Sequence, residues 1–332
     1  MKKLLLLFAV LLSTVGTWAQ TFTLLKSTNV ENPEHQYLMK NGNDVFMDSQ
    51  TSYVSGEKVN GRFAFFAYGG NDADVLIYSI DAQKWVSYEI AASYDNKRDF
   101  ACLIDSKEDA KPWRFSLNEN TGVPVYQFAP HNTTNVASKY MNWYEGTANN
   151  KVQNSVGLYS SAANSDAGSA WSLWPLTSQM CYLRDVRNNY LNLNQLGQDA
   201  NGYENTLATL TTVPVPLYVN VAIDGRWQIH TSVDGGNYLK QSSWKAWNSQ
   251  VTEGSGDYYW TIEYVNADGV KCLVLKNTSG NENGYLGNDN HTDGTPLYVN
   301  TNKDSQGVKL LILDAETEFA LPCGVRNCFL WY

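Results

Sequence analysis

Two tryptophans in an otherwise polar stretch, Trp244 and Trp247 in Gln241-Ser-Ser-Trp-Lys-Ala-Trp-Asn-Ser249, are the residues best suited to hold a ligand. An aromatic face set among amides and carboxylates can stack on the apolar side of a sugar ring while its neighbours bond the hydroxyls. Trp143 and Tyr144, in Met141-Asn-Trp-Tyr-Glu145, have similar surroundings. A packing alternative stands beside this reading, in which the tryptophans cap the open end of a barrel. For Trp143 the packing role is the preferred one.

Signals for catalysis are missing. The chain has no Gly-x-Ser-x-Gly elbow, no His-Glu-x-x-His helix and no glycine-rich phosphate loop. Its four histidines, His35, His131, His230 and His291, are scattered. His230 follows Trp227-Gln-Ile in a strand and reads as structural, and His291 sits in a solvated polar turn. Paired carboxylates of a glycosidase need only lie about 5–10 Å apart in space, so a hydrolase stays open as a less favoured reading and the expectation is no enzyme. The Asn, Asp and Gly clusters do not follow EF-hand spacing and are explained by turn chemistry, so neither metal nor cofactor is expected. Of the five cysteines, Cys181 and Cys272 lie in apolar runs and read as small buried hydrophobes. Cys323 and Cys328 are spaced to close a short loop in the tail.

The elements that position these residues announce themselves as a repeat. An aromatic followed by an aliphatic occurs at Tyr37-Leu38, Trp85-Val86, Tyr140-Met141, Tyr190-Leu191, Tyr238-Leu239 and Tyr285-Leu286, the aromatics 48, 55, 50, 48 and 47 positions apart. A second phrase, large apolar residues at alternate positions, follows each: Phe63, Trp113, Trp171, Trp227, Trp260 and Leu310 open it. Alternation buries one face of a strand and wets the other. Each unit therefore reads as four short strands. In the last they are Lys271–Lys276, Tyr285–Gly287, Pro296–Asn300 and Val308–Ile312; in the unit of Tyr190 they are Cys181–Arg184, Tyr190–Leu193, Pro216–Asn220 and Trp227–Ile229. The words Pro-Leu-Tyr-Val-Asn recur 80 positions apart. No long stretch keeps a helical period, so the chain is expected to be all-β.

Met1–Ala19 reads as an export signal: Lys2 and Lys3, then Leu4–Leu12, then Thr17-Trp-Ala19. A secreted, periplasmic or cell-surface location follows, with no transmembrane segment. The net charge of −9, with no Lys/Arg cluster, argues against nucleic acid. The oligomeric state is not legible.

Six units of four strands fit two tandem three-unit domains or one six-bladed propeller. The stretch Tyr68-Gly-Gly70, Tyr78, Trp85 resembles a kelch repeat but stands alone. A seam at Trp174-Pro-Leu-Thr-Ser178 favours two domains, 20–176 and 177–314, with a tail at 315–332. The Tyr-Leu phrases at 190, 238 and 285, with Trp227, Trp260 and Leu310, resemble the β-trefoil of ricin-B-type lectins, and Asp166-Ala-Gly-Ser-Ala-Trp171 resembles modules in secreted proteins of gut Bacteroidota. The pattern departs from ricin-type repeats, which end in Gln-x-Trp; here only Gln83-Lys-Trp85 spells it, in the first phrase of a unit. The resemblance implies two tandem β-trefoils and a non-catalytic carbohydrate-binding role, with a protein-interaction module as the alternative. It also implies that Asp234, in the turn before Tyr238, accepts sugar hydroxyls together with Asn237, Trp244 and Trp247. Asn283, Asp289 and Asn290 hold related turns without a loop tryptophan, so a weak site or none is expected there.

Overall fold

The computed structural model describes residues 21–43, 45–48, 61–89, 100–118, 125–131, 139–144, 155–193, 197–198, 204–205, 207–242, 245–249, 258–267, 270–277, 284–289, 294 and 296–313. Residues 1–19, read above as an export signal, the tail, Cys323, Cys328, Trp244, Asn283, Asn290 and His291 lie outside them. The described chain is all-β apart from two short 3-10 turns, Ala167–Ser169 and Gln306–Val308. No helix among the described residues is long and apolar enough to cross a membrane.

Two barrel-like sheets hold the described strands, apart from the separate pair Gly197–Gln198 and Glu204–Asn205. In the first, Tyr37–Asn41 pairs with Phe63–Ala67, that with Asp74–Ser79, then Trp113–Asn118, Val125–Pro130 and Trp171–Pro175, which returns to Tyr37–Asn41. The second sheet runs from Gln179–Asp185 through Leu217–Val221 to Trp227–Ser232, where Trp227 bridges Trp260 at the head of Thr261–Ala267, then through Val270–Asn277 to Leu310–Leu313, which pairs back on Gln179–Asp185. Each circuit is antiparallel and closes on itself, in places through a single residue pair: Tyr37 with Phe63 and Trp171 with Tyr126 in the first, Trp227 with Trp260 in the second. Hairpins stand off each ring: Lys84–Glu89 with Phe100–Ile104 and Tyr140–Tyr144 with Ser155–Tyr159 in the first; Tyr190–Asn192 with Thr209–Thr211, Gly235–Ser242 with Lys245–Ser249, and Gly284–Gly287 with Tyr298–Thr301 in the second. The hairpins of the second ring meet in a cycle of backbone bonds. Ala208 N–H donates to the Ala246 carbonyl (3.0 Å), Ala246 N–H to Leu297 (3.1 Å) and Leu297 N–H to Ala208 (2.8 Å).

The alternation fills the interiors. Phe63, Phe65, Phe128, Trp171 and Leu173 pack in the first ring, and Leu217, Val219, Trp227, Ile229, Leu273 and Leu275 in the second. The two repeated phrases are joined by one bond made three times. The buried indoles of Trp113, Trp171 and Trp260 donate to the carbonyls of Val86 (2.8 Å), Met141 (3.0 Å) and Leu239 (3.0 Å), each the aliphatic member of its unit's first phrase.

Three expectations about the units are corrected. Tyr37-Leu38 lies in the first strand of its ring, whereas the other phrases lie in second strands; the matching place is Phe46-Met47, which bridges Lys40 and bonds Met39 (2.9 Å). The unit of Tyr190 has Thr209–Thr211 as its third strand and Leu217–Val221 as its fourth, so Trp227 opens the next unit and pairs with Trp260. The repeated Pro-Leu-Tyr-Val-Asn accordingly falls in non-equivalent strands. Leu217 and Val219, like Leu297 and Val299, are buried, and an alternating pattern suits any strand with one face covered.

Only Leu176, Thr177 and Ser178 join the rings, and the rings abut. Trp174 meets Trp227 edge-on at 5.5 Å, and Phe22 lies 5.4 Å from Trp227, so Phe22, Leu38 and Trp174 belong to the second ring's core. The Lys40 ammonium, buried, sits 4.5 Å from the Trp174 ring and 5.4 Å from Tyr264. The Leu176 N–H donates to Gln36 O (2.8 Å) and the Gln179 amide to Thr23 O (3.0 Å). Cys102, Cys181 and Cys272 are buried thiols outside any disulfide, and burial raises all three pKa values, Cys102 and Cys272 to about 11.

The Trp227 indole N–H is buried without a partner, unlike that of Trp260. Trp260→Phe breaks a hydrogen bond, and Trp227→Phe removes an unsatisfied donor. Trp260→Phe should therefore cost about 1–2 kcal/mol more in urea unfolding than Trp227→Phe. Equal losses would contradict the role given to the indole bond.

Candidate functional site

The turn at Val233 and Asp234 links Trp227–Ser232 to Gly235–Ser242. It depends on glycine: Gly235 and Gly236 have φ of 108° and 67°, in the left-handed region. A Cβ at Gly236 would also lie 2.7 Å from the Thr231 hydroxyl. That hydroxyl accepts from the Asn237 N–H (3.1 Å), and the Ser232 hydroxyl accepts from the Asp234 N–H (3.4 Å). The ladder's register slips between His230 and Ser232, next to the turn.

Asp234 is exposed, and its carboxylate bonds no described residue. The corresponding turns with an Asp behave otherwise. Asp185 is fully buried and is consumed by the Arg187 guanidinium (2.8 Å) and by the N–H groups of Arg187 and Asn189 (2.9 Å each). Asp81 is held by the side chain and N–H of Arg62 (2.7 Å each). Of the three, Asp234 alone has a carboxylate that bonds no described residue.

Asp234 stands on an open cleft of about 570 Å³ at the seam between the rings. Tyr238, Asn220 and Gln228 line it from the second ring, Leu176–Ser178 from the connection, and Glu34 and His35 from the segment entering the first ring. Behind it lies His230, buried, its ring 4.9 Å from Tyr238 and 6.2 Å from Tyr218. His230 Nδ1 donates to the Ser232 carbonyl (2.6 Å). Nε2 lies 3.0 Å from Asn220 Oδ1 and 3.4 Å from the Ser178 hydroxyl; with Nδ1 as the donor, the neutral ring's Nε2 can accept from the Ser178 hydroxyl but not from the Asn220 oxygen. Burial lowers the His230 pKa below its ordinary value, opposed by backbone hydrogen bonds at Ser232 and Gly235. Glu34 accepts from the Thr28 hydroxyl (2.6 Å) and N–H (2.8 Å), which with further backbone bonds pushes its pKa down to about 2. The cleft can offer hydroxyl acceptors, amides and one aromatic edge.

Of the residues expected to form a site, Asp234 lines the cleft and Asn237 follows it on the same hairpin. Trp247 lies in Lys245–Ser249 opposite Lys240. Trp143 and Tyr144 belong to the first ring, opposite Val156 and Ser155, so they are not brought together with Asp234 through any described contact. Trp143 is half-buried against the first core, its indole N–H buried without a partner. His230 has the structural role expected of it. Sequence reasoning missed Glu34, His35, Asn220 and Gln228 as site residues, and gave Tyr238 no role beyond its repeated strand phrase. Nothing in the chain's spacing ties position 34 to position 234. Among the described residues no group of three His, Cys, Asp or Glu could hold a metal ion.

A scan against family models and a search of curated proteins find no match. Among solved structures the chain is similar to a mosquitocidal holotoxin at 15% identity, over 85% of this chain and 34% of that one, with a TM-score of 0.32. It is similar to a non-toxic homologue of type II RIPs from Momordica charantia (bitter gourd), solved with alpha-methyl-D-galactoside, at 11% identity over 86% and 100% of the two chains, with a TM-score of 0.31. A GlcNAcα1-4Gal-releasing endo-β-galactosidase from Clostridium perfringens is similar at 13% identity over 88% and 70%, with a TM-score of 0.33. The chain spans 34% of the holotoxin's length. At such TM-scores these likenesses carry no argument about fold or ligand.

The His230 shift has a consequence in acid. Its folded-state pKa is depressed, so stability is present above the unfolded pKa of about 6.5 and is lost as pH falls through it, because the unfolded chain takes up a proton first. The thermal midpoint of the wild type should fall between about pH 7 and pH 5.5, and that of His230→Gln should fall less over the same range. Calorimetric curves with the same pH slope would contradict this.

Proposed function

We propose that the protein is an exported, non-catalytic carbohydrate-binding protein made of two β-trefoil domains, 20–176 and 177–314, with its working site at the Asp234 turn. The trefoil reading draws support from the circuit of strands in each half and from the cycle of backbone bonds joining Ala208, Ala246 and Leu297, one from each of three hairpins or the segment beside it. The observation that carries the functional reading is the open Asp234 carboxylate beside Tyr238, Asn220 and Gln228. A carboxylate accepts two sugar hydroxyls, an amide donates and accepts, and the Tyr238 ring offers an apolar edge. Trp247, on the partner strand of the same hairpin, belongs to this reading, as does Trp244. Export rests on Met1–Ala19, and the partner is a glycan or glycoprotein.

The test is a glycan array followed by calorimetry on the mature chain. A neutral glycan should bind with one site per chain, since Asp81 and Asp185 are already occupied. Asp234→Asn should weaken it by about 10- to 100-fold, the worth of hydrogen bonds to a charged acceptor. Trp244→Ala with Trp247→Ala should weaken it as well. A flat array, or binding unchanged in both variants, would overturn the reading.

A further inference from the structure

The cleft is not the property of one barrel. Glu34 and His35 come from the segment that enters the first ring, and Asp234 and Tyr238 come from the second. The two contributions are held in register. The Leu176 N–H donates to Gln36 O (2.8 Å), the Gln36 N–H donates to the Thr177 hydroxyl (3.4 Å), and the Gln179 amide donates to Thr23 O (3.0 Å). Trp174 locked against Trp227 fixes the same seam from inside. Each contribution also brings a carboxylate. A surface glutamate ordinarily rotates away from an anion, but Glu34 is tied by the Thr28 hydroxyl (2.6 Å), the Thr28 N–H (2.8 Å) and the Asn29 N–H (3.4 Å). No lysine or arginine is among the described residues lining the cleft, and His35 is the one lining residue there that can take up a positive charge.

Resting on the carbohydrate reading above, we propose that the sugar site is shared between the two barrels and that its two carboxylates, Glu34 and Asp234, make it prefer uncharged sugars over uronic acids. Asp234 bonds the hydroxyls. Glu34 supplies fixed negative charge on the other contribution, so a sugar carboxylate entering the cleft meets like charge from both barrels. The repulsion acts through solvent and is weakened by salt.

The probes are tetramers of galactose, glucose and mannose and their C6-oxidised uronate counterparts, measured against the full mature chain at about pH 8, where imidazoles are neutral. At least one neutral tetramer should bind, and its uronate counterpart should bind about fivefold weaker or less at low salt, as expected for one or two partly screened charge contacts. At about 1 M salt, where charges are screened within a few ångströms, that gap should shrink to less than about twofold. Glu34→Gln should raise the ratio of uronate to neutral affinity about threefold. A uronate that binds as well as its neutral counterpart overturns the charge restriction and leaves the sugar reading standing. An affinity ratio unmoved by Glu34→Gln, with the salt effect intact, overturns the first barrel's share in the site. Failure of every tetramer, neutral or charged, to bind overturns the sugar reading and this inference with it.

Discussion

Sheet closure is the constraint on which the rest depends. In each half the last strand returns to pair with the first, Trp171–Pro175 with Tyr37–Asn41 and Leu310–Leu313 with Gln179–Asp185. Closure satisfies the backbone groups that an open sheet would leave at its edges. It also brings the chain's exit from the first ring beside its entrance. The chain can therefore pass to the second ring in three residues, Leu176–Ser178, and the rings are forced into contact. Trp174, near the end of the closing strand, then has nowhere to go but against Trp227.

The contact is apolar inside and polar at its rim. Phe22, Leu38, Trp174 and Trp227 share one buried cluster. The indole N–H groups of Trp174 and Trp227 are both buried without a partner there, a cost accepted for the packing. At the rim the connecting segment, the Asn220–Gln228 pair and the Asp234 turn enclose the cleft. Barrel walls leave binding to the turns between strands, where the backbone is free to vary without disturbing the core. Turn chemistry then decides which turns are available. Arg187 closes the Asp185 turn and reaches across to the carbonyls of Asn288 (2.8 Å) and Asp289 (2.7 Å), so this turn joins two units of the ring. Glycines at 235 and 236 let the Asp234 turn project instead.

What could be read from the residues follows the same division. The all-β class, the alternation and the buried aliphatic of each phrase were legible because burial imposes a period of two on every strand. Strand identity was not, for the same reason. Tyr37-Leu38 imitates a second-strand phrase from the first strand, Trp227 imitates a fourth-strand opener from the first, and Pro-Leu-Tyr-Val-Asn serves a fourth strand once and a third strand once. The indole bonds from Trp113, Trp171 and Trp260 show what the spacing between phrases measures, the reach from a fourth strand to its own second strand. Of the site, Asp234 was legible from its turn. Glu34, His35, Asn220 and Gln228 were not, because ring closure and packing at the seam bring them together and no local pattern records either.

The central claim is that a sugar lies at the seam between two closed rings, against Asp234. A crystal of the protein soaked with a neutral oligosaccharide that binds in solution tests it most directly. Density for a sugar ring between Tyr238 and the Glu34–His35 segment, with hydroxyls on the Asp234 carboxylate, is the predicted result. Density at another turn, with the cleft holding only water, would contradict it.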